Sequence, residues 1–194
     1  MSLSGALSLQ PTAQATDKST FRPCTSTDST SMKFCLVDRI TELTPGESIS
    51  TIKNVSLAEE YLQDHFPGFS VLPGVMMVEA MVQSCAWLSR VTDDFRYSTI
   101  LLKQARAVKF NNFLKPGQTL EVTATLKKNE DETASFQASG TVEGTSAVSA
   151  RLVLSKQNLD AGSADMADAD ARIQQAMKEL FGQICPDGLA AGKA

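Results

Sequence analysis

The stretch His65-Phe66-Pro67-Gly68-Phe69-Ser70-Val71-Leu72-Pro73-Gly74 gives way to Val75–Val91, a run without glycine or proline. Two prolines and two glycines keep the first ten residues out of a helix. The run that follows carries Val75, Met76, Val78, Met81, Val82, Ala86, Trp87 and Leu88 on nearly every helical face. A helix apolar all round is a buried helix. A rigid loop feeding a buried helix leaves the rest of the chain to cover it.

The flanks supply that cover. Upstream, Phe34–Ile40 reads as a strand, Thr44-Pro45-Gly46-Glu47 as a turn, and Ser48–Val55 as an alternating strand. A short polar segment, 56–64, leads into His65. Downstream, strand-like segments fall at 98–102, 105–113, 119–127, 135–142 and 146–155, with turns at Lys115-Pro116-Gly117-Gln118 and Asn129-Glu130-Asp131-Glu132. Two strands, one buried helix and a run of strands predict an α+β domain, a sheet wrapped on a helix, over 32–156. Residues 1–31, rich in Ser and Thr, read as a flexible leader. A plastid-type transit peptide also has this composition, and so does an over-called start, since Met32 stands just before the first structured segment. The 157–194 extension holds one amphipathic helix, with Ile173, Met177, Leu180, Phe181 and Ile184 at helical spacing and Ser163 as a cap. A lid or docking helix fits that pattern; a helix packed on the domain surface is the plainer reading.

Bulk composition narrows the classes. The chain has 194 residues and a formal net charge of -4, which argues against a nucleic-acid partner. It contains no run of apolar residues long enough for a membrane span. Cys24, Cys35, Cys85 and Cys185 form no zinc spacing and read as inert thiols of a reducing compartment, the cytoplasm, or the plastid stroma if 1–31 is a transit peptide. No metal and no cofactor is called for. The single histidine is His65, so acid–base chemistry that uses histidine must use this one.

The chemistry concentrates between His65 and Gln83. His65 sits on the loop. Pro73-Gly74 opens the helix, so the N–H groups of Gly74 and Val75 lack intrahelical partners and form a cradle for an oxygen gaining charge. Glu79 lies in the second turn, where an unpartnered carboxylate is costly, and Gln83 stands one turn on, on the same face. A base, an acid and an oxyanion site are what removal of water from a 3-hydroxyacyl thioester requires.

The motif from His65 through Pro73-Gly74 to Glu79 and Gln83 resembles the signature of the beta-hydroxyacyl-acyl-carrier-protein dehydratases of the FabZ type. The likeness extends over Leu36–Ile40, Pro45-Gly46, Ile52–Val55, Ala107–Phe110 and Pro116–Gln118. It implies a hot-dog fold, an antiparallel sheet around one long helix. It implies a homodimer, or a trimer of dimers, with His65 of one chain facing Glu79 of the other. Gly74 would offer its N–H to the thioester carbonyl and Gln83 would orient Glu79. Glu at position 79, where the dehydratase–isomerase branch has Asp, implies simple dehydration. The implied partner is an acyl carrier protein, and Lys103, Arg106, Lys109 and Lys115 are the candidate dock for its acidic surface. Asn111-Asn112-Phe113 departs from the basic pair and proline expected there. A hot-dog thioesterase would use the same fold without needing the His65–Glu79 pair, and a non-catalytic acyl-binding protein would need neither. Acyl length is not legible, since it depends on how Met76, Met77, Trp87 and Phe113 pack.

Overall fold

A computed structural model describes residues 34–159 and 164–185. The expectations for 1–31, Met32, Cys24 and the Ser163 cap lie outside the described residues. Strands β1 (Arg39–Thr44), β2 (Ser48–Asn54), β3 (Thr99–Phe110), β4 (Thr119–Asn129), β5 (Thr133–Val142) and β6 (Thr145–Gln157) form one antiparallel sheet in the order β1-β2-β4-β5-β6-β3. Helix α1 is Tyr61–Asp64, α2 is Gly74–Thr92 and α3 is Ala164–Ile184. The long helix α2 packs against β2, β3, β4, β5 and β6, so the α+β reading, a sheet around one buried helix, holds.

Alternation builds the inner face of the sheet. Leu120, Val122 and Ala124 of β4, Phe136 and Ala138 of β5, and Ala150, Leu152 and Leu154 of β6 are buried against Met77, Met81, Cys85 and Leu88 of α2. Ser84 of α2 turns inward and is paired: its Oγ donates to the Ala80 carbonyl at 2.7 Å and meets Thr51 Oγ1 of β2 at 2.7 Å. A satisfied hydroxyl lets the helix approach the strand without an orphaned polar atom.

Three expectations are corrected. Phe34–Asp38 is not a strand: Leu36 and Val37 are both buried, which breaks the in–out alternation, and β1 begins at Arg39. The segments 98–102 and 105–113 join into a single β3 that ends at Phe110, with register shifts at Leu102/Gln104 and Arg106/Lys109 interrupting its alternation. The polar 56–64 segment contains the short helix α1, anchored by buried Leu62. β3 pairs with β6 on one side and is the outer strand of the sheet. Its residues from Leu101 to Phe110 are exposed.

α3 is packed on the domain. Met177, Ile184 and Cys185 are buried, and the Phe181 ring sits 6.1 Å from Trp87 and 5.7 Å from Phe95. Ser98 Oγ hydrogen-bonds Asp170, which also accepts from the Leu159 N–H at 2.9 Å.

Candidate active site

The loop that carries His65 is closed by its own backbone. Phe66 and Phe69 exchange N–H···O bonds of 3.1 and 2.9 Å around Pro67-Gly68, and the Val71 N–H donates to the His65 carbonyl at 3.1 Å. Gly68 takes a φ of 81°, a left-handed conformation that costs glycine little. Leu72 N–H then donates to the Leu114 carbonyl at 2.8 Å, which fixes the loop to the chain after β3. His65 is half-buried, with Nδ1 3.3 Å from the Val71 carbonyl. A carbonyl only accepts, so this contact selects the tautomer protonated on Nδ1 and leaves the Nε2 lone pair free to take a proton.

Pro73 precedes α2 with a φ of -54°, and its carbonyl accepts from Met76 and Met77 at 2.9 and 3.3 Å. The N–H groups ahead of these, on Gly74 and Val75, are the ones helix geometry leaves unspent. Val75 is 73% exposed, so the helix start faces outward. The Phe110 ring lies over it: a Cβ on residue 74 would stand 2.9 Å from that ring. A side chain there would have to push the ring aside.

Gln83 organises the second half of the site. Its Nε2 donates to Glu79 Oε1 at 2.9 Å and to the Phe34 carbonyl at 3.0 Å, while its Oε1 accepts the Leu36 N–H at 2.9 Å. Glu79 is half-buried and opens on a cavity of about 140 Å³ between α2 and β3, bordered also by Val82, Ala86, Trp87, Arg90, Ile100 and Leu101. A larger open groove of about 670 Å³, lined by Phe34, Cys35, Leu36, Lys53 and α1, includes neither His65 nor Glu79. Among the described residues no hydrogen bond or ion pair joins His65 to Glu79 within the chain; each holds its own neighbour.

Lys103, Arg106 and Lys109 lie exposed on β3, and Lys115 follows that strand. Arg106 pairs in register with Arg151, and Lys109 with Ser149, on the outer face of the sheet. Lys115 Nζ lies 5.3 Å from the centre of the Phe69 ring, beside the His65 loop. Lys103 lies within electrostatic reach of Glu130. Burial pushes the Cys85 thiol far up, which fits an unreactive cysteine, whereas Cys35 is exposed at the larger groove. Two neighbours of the site went unread in the sequence. Phe110 meets Gly74 from 36 residues away in sequence, which leaves no local pattern, whereas Arg90, at helical spacing from Gln83, is open to detection. Among the described residues no His, Cys, Asp and Glu cluster able to hold a metal is present, and no helix is long and apolar enough to cross a membrane.

Residues 29–151 match the FabA-like domain family. The chain is 42% identical over 118 residues to the 3-hydroxyacyl-acyl-carrier-protein dehydratase FabZ of Oenococcus oeni, covering 61% of this chain and 85% of that protein. It is 39% identical over 129 residues to the FabZ of Ehrlichia chaffeensis, covering 66% of this chain and 89% of that one. The solved dehydratase heterocomplex ApeI:P of Xenorhabdus doucetiae superposes with a TM-score of 0.57 at 21% identity, over 64% of this chain and 84% of that one, and shares the fold. With a sheet wrapped around α2 and the His65–Glu79 motif at its start, the chain belongs to the FabA-like family and, within it, to the FabZ-type 3-hydroxyacyl-acyl-carrier-protein dehydratases.

Proposed function

We propose that this chain removes water from 3-hydroxyacyl thioesters held on an acyl carrier protein, giving trans-2-enoyl thioesters for fatty acid biosynthesis. The observation that carries the reading is the Gln83-held Glu79, open to a cavity on the same helix whose start offers the Gly74 and Val75 N–H groups. His65 Nε2 takes the proton from the carbon next to the thioester carbonyl. The electrons move onto the carbonyl oxygen, where the Gly74 N–H stabilises the developing charge, with Val75 beside it. They return to form the double bond as the hydroxyl leaves from the third carbon, taking a proton from Glu79 as water.

The site is shared between two chains, His65 from one and Glu79 from the other. Two features support this: neither residue has the other as its partner within the chain, and β3 presents an outer edge with Leu101, Leu102, Val108 and Phe110 exposed. Pairing of β3 with its two-fold mate would cover that edge. Among the four basic candidates, Lys115 is the best placed to meet a carrier protein, since it borders the loop of His65. Free thiols at Cys35 and Cys85 and relatives from bacteria support a cytoplasmic setting.

The test is hydration of crotonyl and longer enoyl thioesters by the purified protein, run against hydrolysis of the same compounds. Loss of the enoyl absorbance with the thioester intact is expected. Thiol release without hydration would make the chain a thioesterase, and neither reaction would make it an acyl-binding protein.

A further inference from the structure

The cavity beside Glu79 is backed by a helix that lies outside the 29–151 family match. Its apolar lining is Val82, Ala86 and Trp87 of α2 with Ile100 and Leu101 of β3. Trp87 is the bulkiest of these and is 1% exposed. Eight positions separate it from Glu79, about 12 Å of helix at 1.5 Å per residue. One turn further on, Arg90 ends the apolar stretch along α2.

Helix α3 braces this end of the cavity from both sides. On the α2 side, the Phe181 ring lies 6.1 Å from Trp87, within the spacing of an aromatic pair. In the connection from α2 to β3, Phe95 meets the same Phe181 ring edge-on at 5.7 Å, and the Arg96 carbonyl accepts from Gln174 Nε2 at 2.9 Å. On the β3 side, Ser98 Oγ, one residue before the strand, donates to Asp170. All of these contacts lie within one chain. A mate over β3 would close the open side of the cavity, but Trp87 is already covered by its own chain, and its contact with Phe181 would stay as it is. In a close-packed interior a ring keeps its place only while its neighbours fill the space behind it.

We propose that α3 sets the length of acyl chain the site accepts, with Phe181 as the positioning residue that holds Trp87 as the end wall. This rests on the reading of Glu79 as the reacting end. An extended carbon chain advances about 1.2 Å per bond, by analogy with the three bonds of a peptide residue. The wall therefore stands no more than about ten bonds from the reacting carbons. A shorter chain leaves apolar lining uncovered, and a longer one meets the indole. Removing the Phe181 ring opens a space behind Trp87, with Phe95 on its border, into which the indole can recede.

The test measures kcat/KM against acyl length for 3-hydroxyacyl chains on one carrier protein, in the unaltered protein and in Phe181→Ala. The unaltered protein is expected to rise to a medium length and fall beyond it. In Phe181→Ala, the rate for a chain about two carbons past that optimum, taken relative to the rate at the optimum, should rise about tenfold or more, since each methylene in an apolar pocket is worth roughly that much. The gain should come chiefly through KM. Loss of folded protein lowers every length in proportion, so this ratio distinguishes a moved wall from a weakened fold. Phe181→Leu, which keeps most of the volume, should move the profile less, and it carries the comparison if Phe181→Ala does not fold. Trp87→Phe, which thins the wall itself, should move the profile in the same direction. An unchanged profile in Phe181→Ala, in Phe181→Leu where only that variant folds, or in Trp87→Phe overturns the proposal. Failure of the unaltered protein to turn over 3-hydroxybutyryl thioester counts against the dehydratase reading instead, since that chain ends well short of Trp87.

Discussion

Glu79 and His65 are held by different means, and their replacement should show it. His65→Ala and Glu79→Gln are each expected to lower kcat for dehydration by at least roughly 100-fold, the range for loss of a general acid or base. Both residues are half-buried, so circular dichroism and thermal midpoint should change little. Near-full activity in either variant removes its assigned role. Gln83→Leu is different. It releases Glu79 and also strands the Phe34 carbonyl and the Leu36 N–H, so a stability loss of about 1–3 kcal/mol should accompany the loss of rate. Denaturant unfolding checks this. Gly74→Ala places a methyl against the Phe110 ring. That ring is 52% exposed and can turn aside, so the fold should survive while kcat falls on the order of 10- to 100-fold from displacement at the cradle. The spacing of His65, Gly74, Glu79 and Gln83 was legible because it follows one loop and one helix face. The backbone groups that Gln83 grips were not, since contacts 47 and 49 residues apart leave no local pattern.

Among the elements, α2 could be read almost to the residue, because an apolar run without breakers has one stable form. β3 could not: two register shifts interrupt its alternation, and Ala107 takes a positive φ of 50° there. Phe34–Asp38 has the composition of a strand, yet the Gln83 side chain takes up the Phe34 carbonyl and the Leu36 N–H, and the sheet is reached only at Asp38, whose N–H donates to the Ile52 carbonyl of β2. The helix α3 lies beyond the 29–151 family match but shares the core through Met177, Ile184 and Phe181. Met177→Ala should therefore cost about 2–5 kcal/mol, as core truncations do, and lower the thermal midpoint. An unchanged midpoint would mean that α3 is a peripheral attachment.

At the scale of the molecule, sharing of the site between chains has a distinctive signature. In a two-fold dimer of His65→Ala with Glu79→Gln, one site collects both lesions and the other neither. Random pairing makes about half the dimers mixed, so co-refolding should restore roughly a quarter of the unaltered activity. With both residues drawn from one chain, every site carries one lesion and mixing restores nothing. Proven subunit exchange without recovery would overturn the shared site and leave the family assignment intact. The sheet order followed from no local signal: placing β3 outside β6 requires long-range pairing that periodicity does not encode.

The outer position of β3 has a further consequence, during synthesis. A newly released chain presents that strand before any mate is present, and an apolar strand edge is a template for indiscriminate growth. Lys103, Arg106 and Lys109 interrupt the exposed Leu101, Leu102, Val108 and Phe110 along it. Cations set among apolar residues act as gatekeepers, since stacked copies in parallel register would place like charges together. By this argument the three cations should keep unmated chains apart, and replacing all three with apolar residues should send freshly made protein into inclusion bodies.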